Sequence, residues 1–197
     1  MKHDDARPDQ ANNAALAQRV AQRITRPIVL VGMMGVGKSS VGKRLAALLH
    51  VPFVDADEAI EEAAQMTIPE IFETYGEAYF RDGERRVIQR LIAESATGRP
   101  MVIATGGGAF VNAETRALIL DKAIAVWLDS DIDTLLQRVG RKDNRPLLRT
   151  GNPRETLTRL MAEREPAYAQ APIHVVSSNQ PHGQTLAAVM KGILAWP

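Results

Sequence analysis

The sequence predicts an α/β protein built on a parallel β-sheet that is covered by helices on both faces. Short, almost wholly apolar segments alternate with segments whose apolar residues recur every three or four positions. The first pattern is typical of buried strands and the second of amphipathic helices. No segment repeats at the period of about 20 to 50 residues that marks solenoids. The length of 197 residues fits one compact domain with a small lid or insert.

Composition and charge exclude several classes of protein. The 24 Lys and Arg residues nearly balance the 23 Asp and Glu residues, so the chain lacks the basic excess of a nonspecific nucleic-acid binder. No cysteine is present, which excludes disulfides, thiol nucleophiles and zinc-thiolate sites. No apolar run reaches the ~20 residues of a membrane-spanning helix, and the acidic first ten residues do not resemble a signal peptide. We therefore expect a cytoplasmic protein without a membrane or nucleic-acid partner.

The start of the chain is predicted to be an accessory segment. Residues 1–12 are polar and expected to be mobile. A short amphipathic helix before the main fold is indicated by Ala15, Leu16, Val20 and Ile24. We accordingly divide the chain into a partly disordered extension, 1–26, and a domain, 27–197. Deletion of residues 1–24 is expected to leave activity largely intact.

Five strands are predicted from short apolar runs between turn signals. They cover residues 28–31, 52–54, 101–104, 123–128 and 173–176. Three of the intervening helices begin with side chains suited to capping, namely Thr67 with Glu70, Ser130 with Asp133, and Asn152 with Pro153. Pro166 is expected to close the helix that starts after Asn152. Leu186, Val189, Met190 and Ile193 predict a last helix.

A phosphate-binding loop directly follows the first strand. Residues 32–39 match the pattern G-x-x-x-x-G-K-[ST], with an apolar strand before them and an amphipathic helix after them. Gly32, Gly35 and Gly37 permit positive φ angles, so backbone N–H groups can converge on phosphate oxygens. Lys38 supplies a positive charge for the phosphates and Ser39 a hydroxyl for Mg²⁺. The motif indicates a nucleotide site.

Asp55 and Asp57 follow the second predicted strand. If the chain stays extended there, residues two apart direct both carboxylates to the same side. The carboxyl ends of parallel strands border the ligand crevice, so the pair could reach the phosphates or an acceptor hydroxyl. Either acid could instead only cap the helix that begins nearby.

Three further groups could bind an acceptor. Arg81 and Glu84 lie one helical turn apart, which allows an ion pair, although such a pair is often only a solvated surface feature. The glycines 106–108 follow the third strand, where a ligand could touch backbone N–H groups, or where the chain could simply turn. Arg145 and Arg164 are further candidates, because a guanidinium can donate two parallel hydrogen bonds to a carboxylate.

The motifs together resemble the shikimate kinase family. Besides the P-loop, they are Asp55-x-Asp57, Phe80-Arg81-x-x-Glu84, Thr105-Gly106-Gly107-Gly108, Arg145-Pro146-Leu147-Leu148 and Arg164-x-Pro166-x-Tyr168, in the order and approximate spacing of that family. The resemblance covers residues 27 to about 195. It implies a three-layer P-loop kinase fold with a five-stranded parallel sheet in the order 2-3-1-4-5 and a short lid near 140–153.

The resemblance also implies a reaction and roles for particular residues. ATP would phosphorylate the 3-hydroxyl of shikimate, with Mg²⁺ bound by Ser39 and by Asp55 through water. ATP would contact Gly35, Val36, Gly37, Lys38, Ser39, Ser40, Arg138 and Arg145. Asp57 would contact the acceptor hydroxyls as the base, and Lys38 and Arg145 would assist the transfer. The shikimate pocket would comprise Asp57, Phe72, Phe80, Arg81, Glu84, Gly106, Gly107, Gly108 and Arg164.

The basic segment 140–151 is bounded by glycines and is predicted to be a mobile flap. Its closure would place Arg145 near the transferring phosphate and protect ATP from hydrolysis. A flap this short disfavours a nucleotide kinase with a large lid. Two alternatives remain open: a small kinase for another acceptor, such as gluconate or a nucleoside monophosphate, and a nonenzymatic ATP-binding module. We expect a monomer whose partner is a small-molecule substrate, shikimate.

Overall fold

The protein contains a five-stranded parallel sheet with the strand order β2-β3-β1-β4-β5, as predicted. A computed structural model describes residues 6–139, 152–177 and 182–197. The strands are β1 (Ile28–Val31), β2 (Phe53–Asp55), β3 (Val102–Ala104), β4 (Ile124–Asp129) and β5 (Ile173–Val176). The predicted bounds of β1 and β5 are confirmed, and those of the other three strands differ by one residue at one or both ends.

Helices surround the sheet. Those of the described residues are α1 (Ala6–Ala21), α2 (Lys38–Leu49), α3 (Ala56–Ala64), α4 (Ile68–Thr97), α5 (Ala113–Lys122), α6 (Ile132–Val139), α7 (Pro153–Tyr168) and α8 (His182–Ala195). Helices α1, α2 and α8 pack against one another, while α4 packs against α3 and α5. None of the described helices has the length and hydropathy needed to cross a membrane.

The central strand β1 determines where the site lies. It is fully buried and pairs in parallel with β3 on one side and β4 on the other. Ile28 is in register with both Val102 and Ile124. Because all strands run the same way, the P-loop after β1, the acidic end of β2 and the glycines after β3 emerge at one edge of the sheet.

Helix α1 begins at Ala6, within the segment 1–12 that was expected to be mobile. Its side chains Leu16, Ala17 and Val20 are buried in the main hydrophobic core, where α1 contacts α8 and α2. Asn13 Nδ2 donates a hydrogen bond of 3.1 Å to the carbonyl oxygen of Gly183 in α8. The apolar face predicted for this helix therefore has a partner in the last helix of the chain. The division at residue 26 stays a prediction.

Two of the three predicted helix caps are confirmed. Thr67 and Glu70 form the reciprocal capping box of α4, and the Asn152 side chain accepts a hydrogen bond from Arg154 N at the start of α7. The predicted capping of α6 by Ser130 is wrong. Asp131 caps this helix instead, accepting a hydrogen bond of 2.8 Å from Thr134 N. Ser130 is unavailable because its hydroxyl donates to the carbonyl oxygen of Ser177 at 2.8 Å, next to the end of β5.

Pro166 does not close α7, which continues to Tyr168. A proline removes one backbone hydrogen bond and crowds one carbonyl in the preceding turn, a penalty that is limited when only two helical residues follow. Burial of the Tyr168 side chain and a hydrogen bond of 2.9 Å from Ala169 N to Glu165 O favour the last turn. The basic flap 140–151, with Arg145, lies outside the described residues.

Candidate active site

The P-loop has the backbone conformation that its glycines predict. Gly32, Gly35 and Gly37 have φ angles of 136°, 82° and 104°, which side chains other than hydrogen rarely permit. At Gly32 the approach of β4 is an additional constraint, because a Cβ atom there would lie 2.2 Å from the carbonyl oxygen of Leu128. Helix α2 starts directly after Gly37, so its N-terminal N–H groups and the positive end of its dipole face the loop.

Lys38 places its ammonium group inside this loop. Its side chain is buried, and Nζ donates hydrogen bonds of 2.8 Å to Gly32 O and 2.9 Å to Met33 O. The loop carbonyls thus hold the cation inside the loop. Arg138 reaches the same loop from α6, donating to Val36 O at 2.9 Å and to Ser177 Oγ at 3.4 Å.

Ser39 and Asp55 meet at the end of β2. Ser39 Oγ donates a hydrogen bond of 2.6 Å to Asp55 Oδ2, while Asp55 Oδ1 accepts one of 3.1 Å from Asp57 N. Asp55 is therefore the N-cap of α3 and a neighbour of the P-loop hydroxyl at once. The two interpretations of this acid, cap and site residue, are compatible.

The same hydroxyl–carboxylate pair is chemically suited to Mg²⁺. This ion takes oxygen ligands and keeps several waters, so it is usually bound by only one or two protein groups together with phosphates. Ser39 Oγ and Asp55 Oδ2 provide two such oxygens next to the phosphate loop. The donor set therefore fits the ion.

Asp57 lies in the first turn of α3 and not in an extended segment, so the predicted geometry of the aspartate pair is wrong. The chain turns into the helix at Ala56, because Asp55 caps it. Asp57 still lies at the site, since a Cβ atom on Gly106 would be 2.7 Å from Asp57 Oδ1. Burial, and then the negative charge of Asp55, raise the pKa of Asp57, while Lys38 acts in the opposite direction.

Arg81 and Glu84 form the predicted ion pair on α4, with 2.7 Å between Nη1 and Oε2. Glu84 is only 1% exposed, so this is a buried carboxylate and not a solvated surface pair. Burial raises the pKa of Glu84, and Arg81 opposes that shift. On its outer edge Arg81 also approaches Glu77, at 3.3 Å, an exposed acid that the sequence did not single out.

The three glycines after β3 make room for side chains from three other elements. Cβ atoms on Gly106 and Gly108 would lie 2.7 Å from Asp57 Oδ1 and 2.6 Å from Arg81 Nη2. A Cβ atom on Gly107 would lie 3.3 Å from both Arg164 Nη1 and the backbone N of Met34 in the P-loop. The glycine segment therefore lies between the P-loop and the side chains of Asp57, Arg81 and Arg164. Larger residues would not fit there without displacing these side chains, a requirement that goes beyond contact of a ligand with N–H groups.

Helix α7 reaches this segment through two side chains. Arg164 Nη1 donates to the carbonyl oxygen of Gly107 at 3.2 Å, and the Tyr168 hydroxyl donates to the same oxygen. Tyr168 belongs to a motif noted in the sequence but had no role there. The signal for it was its position four residues after Arg164, on the same face of a helix.

Phe72 and Phe80 form an aromatic pair beside Arg81, with ring centroids 4.6 Å apart. Phe80 is buried, and the Arg81 guanidinium carbon lies 5.1 Å from its ring centroid. Phe72 is partly exposed. Among the other predicted residues, Ser40 is exposed on α2, and Arg145 lies outside the described residues. The described members of the predicted set thus come from the P-loop, α2, β2, α3, α4, the glycine segment, α6 and α7.

The family model and the relatives that match this chain all belong to the same family. A family model described as shikimate kinase matches residues 34–194. A shikimate kinase of Novosphingobium aromaticivorans is 63% identical over 196 residues, covering 100% of both chains. One of Caulobacter vibrioides is 51% identical over 199 residues, covering 98% of each.

Solved structures agree. A shikimate kinase from Acinetobacter baumannii in complex with shikimate has a TM-score of 0.76 and 38% identity, covering 86% of this chain and 92% of that one. A gluconokinase from Sinorhizobium meliloti has a TM-score of 0.55 at 17% identity, covering 87% of this chain and 93% of that one. The second similarity reflects the fold alone.

Proposed function

The chain belongs to the shikimate kinase family, and from that premise we propose which of its side chains carry out the reaction. The enzyme transfers the γ-phosphoryl group of ATP to the 3-hydroxyl of shikimate, giving shikimate 3-phosphate and ADP. The observation that carries the residue assignment is the meeting of P-loop, acid and arginines at the glycines 106–108. A Cβ atom on Gly107 would be 3.3 Å from both Met34 N of the P-loop and Arg164 Nη1.

The phosphates of ATP bind the loop 35–40, where Lys38 neutralises negative charge and backbone N–H groups contact the oxygens. Lys38 must exchange its hydrogen bonds to Gly32 and Met33 for phosphate oxygens. Arg138, which lies against Val36, is positioned to contact the nucleotide beside this loop. Arg145 is proposed to approach the transferring group from the flap.

Ser39 and Asp55 are proposed to hold Mg²⁺, Asp55 through a water molecule. When bound, the ion would supply positive charge to the phosphates and help to orient them. The proposal is supported by the adjacent hydroxyl and carboxylate oxygens, 2.6 Å apart. The Asp55 carboxylate also accepts a hydrogen bond from Asp57 N at the start of α3. The first turn of this helix therefore positions both the proposed metal ligand and the proposed base.

The carboxylate of shikimate is proposed to bind between Arg81 and Arg164. Each guanidinium contacts a different glycine of the segment 106–108, so the two cations face one pocket from two helices. Glu84 orients Arg81 through its 2.7 Å ion pair. Phe72 and Phe80 are proposed to flank the carbocyclic ring, and Gly106, Gly107 and Gly108 to line the pocket.

Asp57 is proposed to accept the proton of the 3-hydroxyl, or to orient that hydroxyl for attack. Phosphoryl transfer requires chiefly positioning and electrostatic stabilisation, and a base contributes by completing the alignment of the nucleophile. A raised pKa makes a carboxylate a better proton acceptor, and Lys38 and Arg81 oppose the rise in the pKa of Asp57. We propose a cytoplasmic monomer with no nucleic-acid or membrane partner.

The alternatives to shikimate as acceptor are gluconate and a nucleoside monophosphate. A further alternative is an ATP-binding protein that phosphorylates no acceptor. Gluconate also carries a carboxylate, so the arginines alone do not exclude it. A nonenzymatic ATP-binding module has no need of Asp57 and two arginines beside its phosphate loop. The combination at the glycine segment favours a compact cyclic acid.

A coupled ADP-release assay tests the assignment directly. Shikimate, gluconate and AMP are compared at equal concentration with saturating ATP and Mg²⁺. We expect kcat/KM for shikimate to exceed that for the other two by at least ~10²-fold, because neither matches the placement of both the carboxylate and the hydroxyl. A higher kcat/KM for gluconate or AMP would overturn the assignment of shikimate as the acceptor. ADP release at the same rate with and without each acceptor would overturn the assignment of kinase activity.

A further inference from the structure

Two side chains of α7 donate to one carbonyl oxygen at the acceptor pocket. Arg164 Nη1 lies 3.2 Å from Gly107 O, and the Tyr168 hydroxyl donates to the same atom. The two residues are one helical turn apart, so their side chains leave the same face of α7. Arg164 belongs to the proposed carboxylate site, whereas Tyr168 is 1% exposed and lies behind it.

The position of Tyr168 is fixed by apolar contacts. Its ring stacks at 6.0 Å on Trp127 of β4, and Trp127 stacks at 3.9 Å on His174 of β5. The hydroxyl oxygen lies 4.0 Å from Met33 Sδ in the P-loop. Burial raises the pKa of Tyr168 to about 12, against a smaller effect of Arg164, so the hydroxyl stays protonated and can donate at neutral pH.

The shared carbonyl creates a competition for Arg164. A carbonyl oxygen has two lone pairs. In the structure, which contains no ligand, Arg164 and Tyr168 both donate to the carbonyl oxygen of Gly107. If Arg164 turns toward a bound carboxylate, the charge-assisted bonds that form are stronger than its 3.2 Å bond to the neutral carbonyl of Gly107 and can replace it. That exchange would leave the carbonyl without a donor if Arg164 were its sole partner, and an unsatisfied, half-buried carbonyl is unfavourable.

We propose that Tyr168 is a positioning residue for shikimate binding: its hydroxyl keeps Gly107 O hydrogen-bonded while Arg164 turns to the acceptor carboxylate. The hydroxyl also holds the glycine segment against the P-loop, so the pocket keeps its shape during the exchange. This inference rests on the proposed carboxylate site. It assigns Tyr168 an effect on the acceptor that is transmitted through Arg164, with no contact to shikimate or ATP.

Tyr168→Phe tests the proposal because it removes the hydroxyl and retains the ring that packs on Trp127. Dissociation constants for shikimate and for Mg²⁺–ATP are measured by calorimetric titration of the full-length variant. We expect the shikimate constant to rise about 5- to 15-fold, the range of one hydrogen bond, and the ATP constant to change less than twofold. Tyr75→Phe, which removes an exposed hydroxyl on α4, is the matched control and is expected to alter neither constant.

A second variant separates positioning from a general structural role. In an Arg164→Lys background, the ammonium group lacks the forked donors that make this exchange, so adding Tyr168→Phe is expected to raise the KM for shikimate less than twofold further. Full additivity of the two changes in KM would overturn the proposal. So would an unchanged shikimate constant in Tyr168→Phe, or an equal loss of affinity for both ligands. If the wild-type enzyme itself fails to bind shikimate, the proposed function is wrong, whereas a failure confined to the Tyr168 variants contradicts only this inference.

Discussion

At the scale of single residues, the site concentrates carboxylates that are unfavourable when ionised. Burial is the largest cause of the raised pKa of both Asp57 and Glu84. Glu84 is paired with the cation of Arg81 at 2.7 Å. Asp57, in contrast, is close to the negative charge of Asp55, which raises its pKa further. We therefore expect Asp57 to lower the stability of the folded enzyme at neutral pH in exchange for activity.

Asp57→Asn is expected to have opposite effects on activity and stability. Turnover should fall at least ~10²-fold, because a positioned proton acceptor is lost. The melting temperature at pH 7 should rise by ~2–4 °C, about 1 kcal/mol for a chain of this size, because the neutral amide is not penalised by burial as the carboxylate is. Glu58→Gln, which neutralises an exposed acid on the same helix, is the control for both measurements.

The pH dependence of that stability difference provides its own check. A carboxyl group with a raised pKa in the folded state contributes stability that is fully present below its ordinary value of 3.8 and is lost as pH rises through the raised value. The advantage of Asp57→Asn over the wild type should therefore be largest near pH 7 and shrink as the solution is acidified. A difference that grows toward acid would contradict a raised pKa.

Removing Arg81 should affect two properties that a second mutation can separate. Arg81→Ala is expected to weaken shikimate binding by ~10²-fold or more with ATP binding nearly normal, and to lower the melting temperature by roughly 5–8 °C. The destabilisation follows because Glu84 is left buried without its ion-pair partner. In Arg81→Ala/Glu84→Gln the stability should largely return and the affinity should not, as measured by calorimetry and thermal unfolding. Recovery of shikimate binding in the double variant would remove Arg81 from the carboxylate site.

Single residues also show what the sequence can and cannot predict. The positive φ angles of Gly32, Gly35 and Gly37 follow from a local motif, and they are confirmed. The choice of Asp131 over Ser130 as the cap of α6 depends on the carbonyl of Ser177, which is 47 residues away from Ser130 in the chain. A contact of that range leaves no local pattern.

At the scale of elements, the glycine segment 106–108 acts as a spacer between helices. Gly108→Ala would bring a Cβ atom within 2.6 Å of the Arg81 guanidinium, which is the mobile end of a long side chain and can move aside. We expect the KM for shikimate to rise about 10-fold while the melting temperature changes by less than ~3 °C, since no backbone clash arises.

Gly83→Ala is the matched glycine substitution. It lies on α4 with open space around the added methyl group, so helix propensity should raise the melting temperature by ~1–4 °C, about 0.5–1 kcal/mol, with KM unchanged. Steady-state kinetics and thermal unfolding of both variants check the pair. An unchanged KM in Gly108→Ala would show that Arg81 is not placed by this segment.

The elements themselves were largely predictable, because each is marked by its own periodicity or cap. All five strands were predicted within one residue at each end, and α4 and α7 begin where Thr67 and Asn152 indicated. The end of α7 was not predictable from Pro166, because the last turn is stabilised by a tertiary contact of Tyr168 with Gly107. The strand order came from the family resemblance, since periodicity does not specify which strands are neighbours.

At the scale of the whole molecule, α1 is part of the hydrophobic core. Leu16 is 8% exposed and belongs to the core cluster, together with Ala17 and Val20. We therefore expect deletion of residues 1–24 to destabilise the enzyme, contrary to the expectation from sequence that this segment is dispensable. Residues 1–12 were expected to be mobile because they are polar. Composition does not show that α1, which begins within this segment, packs against α8.

Leu16→Ala measures this contribution without removing the helix. Truncation of a buried leucine should lower the free energy of unfolding by ~2–3 kcal/mol and the melting temperature by roughly 5–10 °C. KM for both substrates should stay within twofold of the wild type, because Leu16 belongs to the hydrophobic core and is not among the proposed site residues. Gln18→Ala, on the exposed face, is the control. Unaltered unfolding of Leu16→Ala would show that the extension is accessory after all.

The pairing of α1 with α8 has a consequence for biosynthesis. Helix α1 is synthesised before α8, yet α8 is one of the two described helices against which it packs. Until α8 has left the ribosome, α1 therefore has α2 but not α8 to pack against. The burial of its apolar face is completed only when α8 has been synthesised.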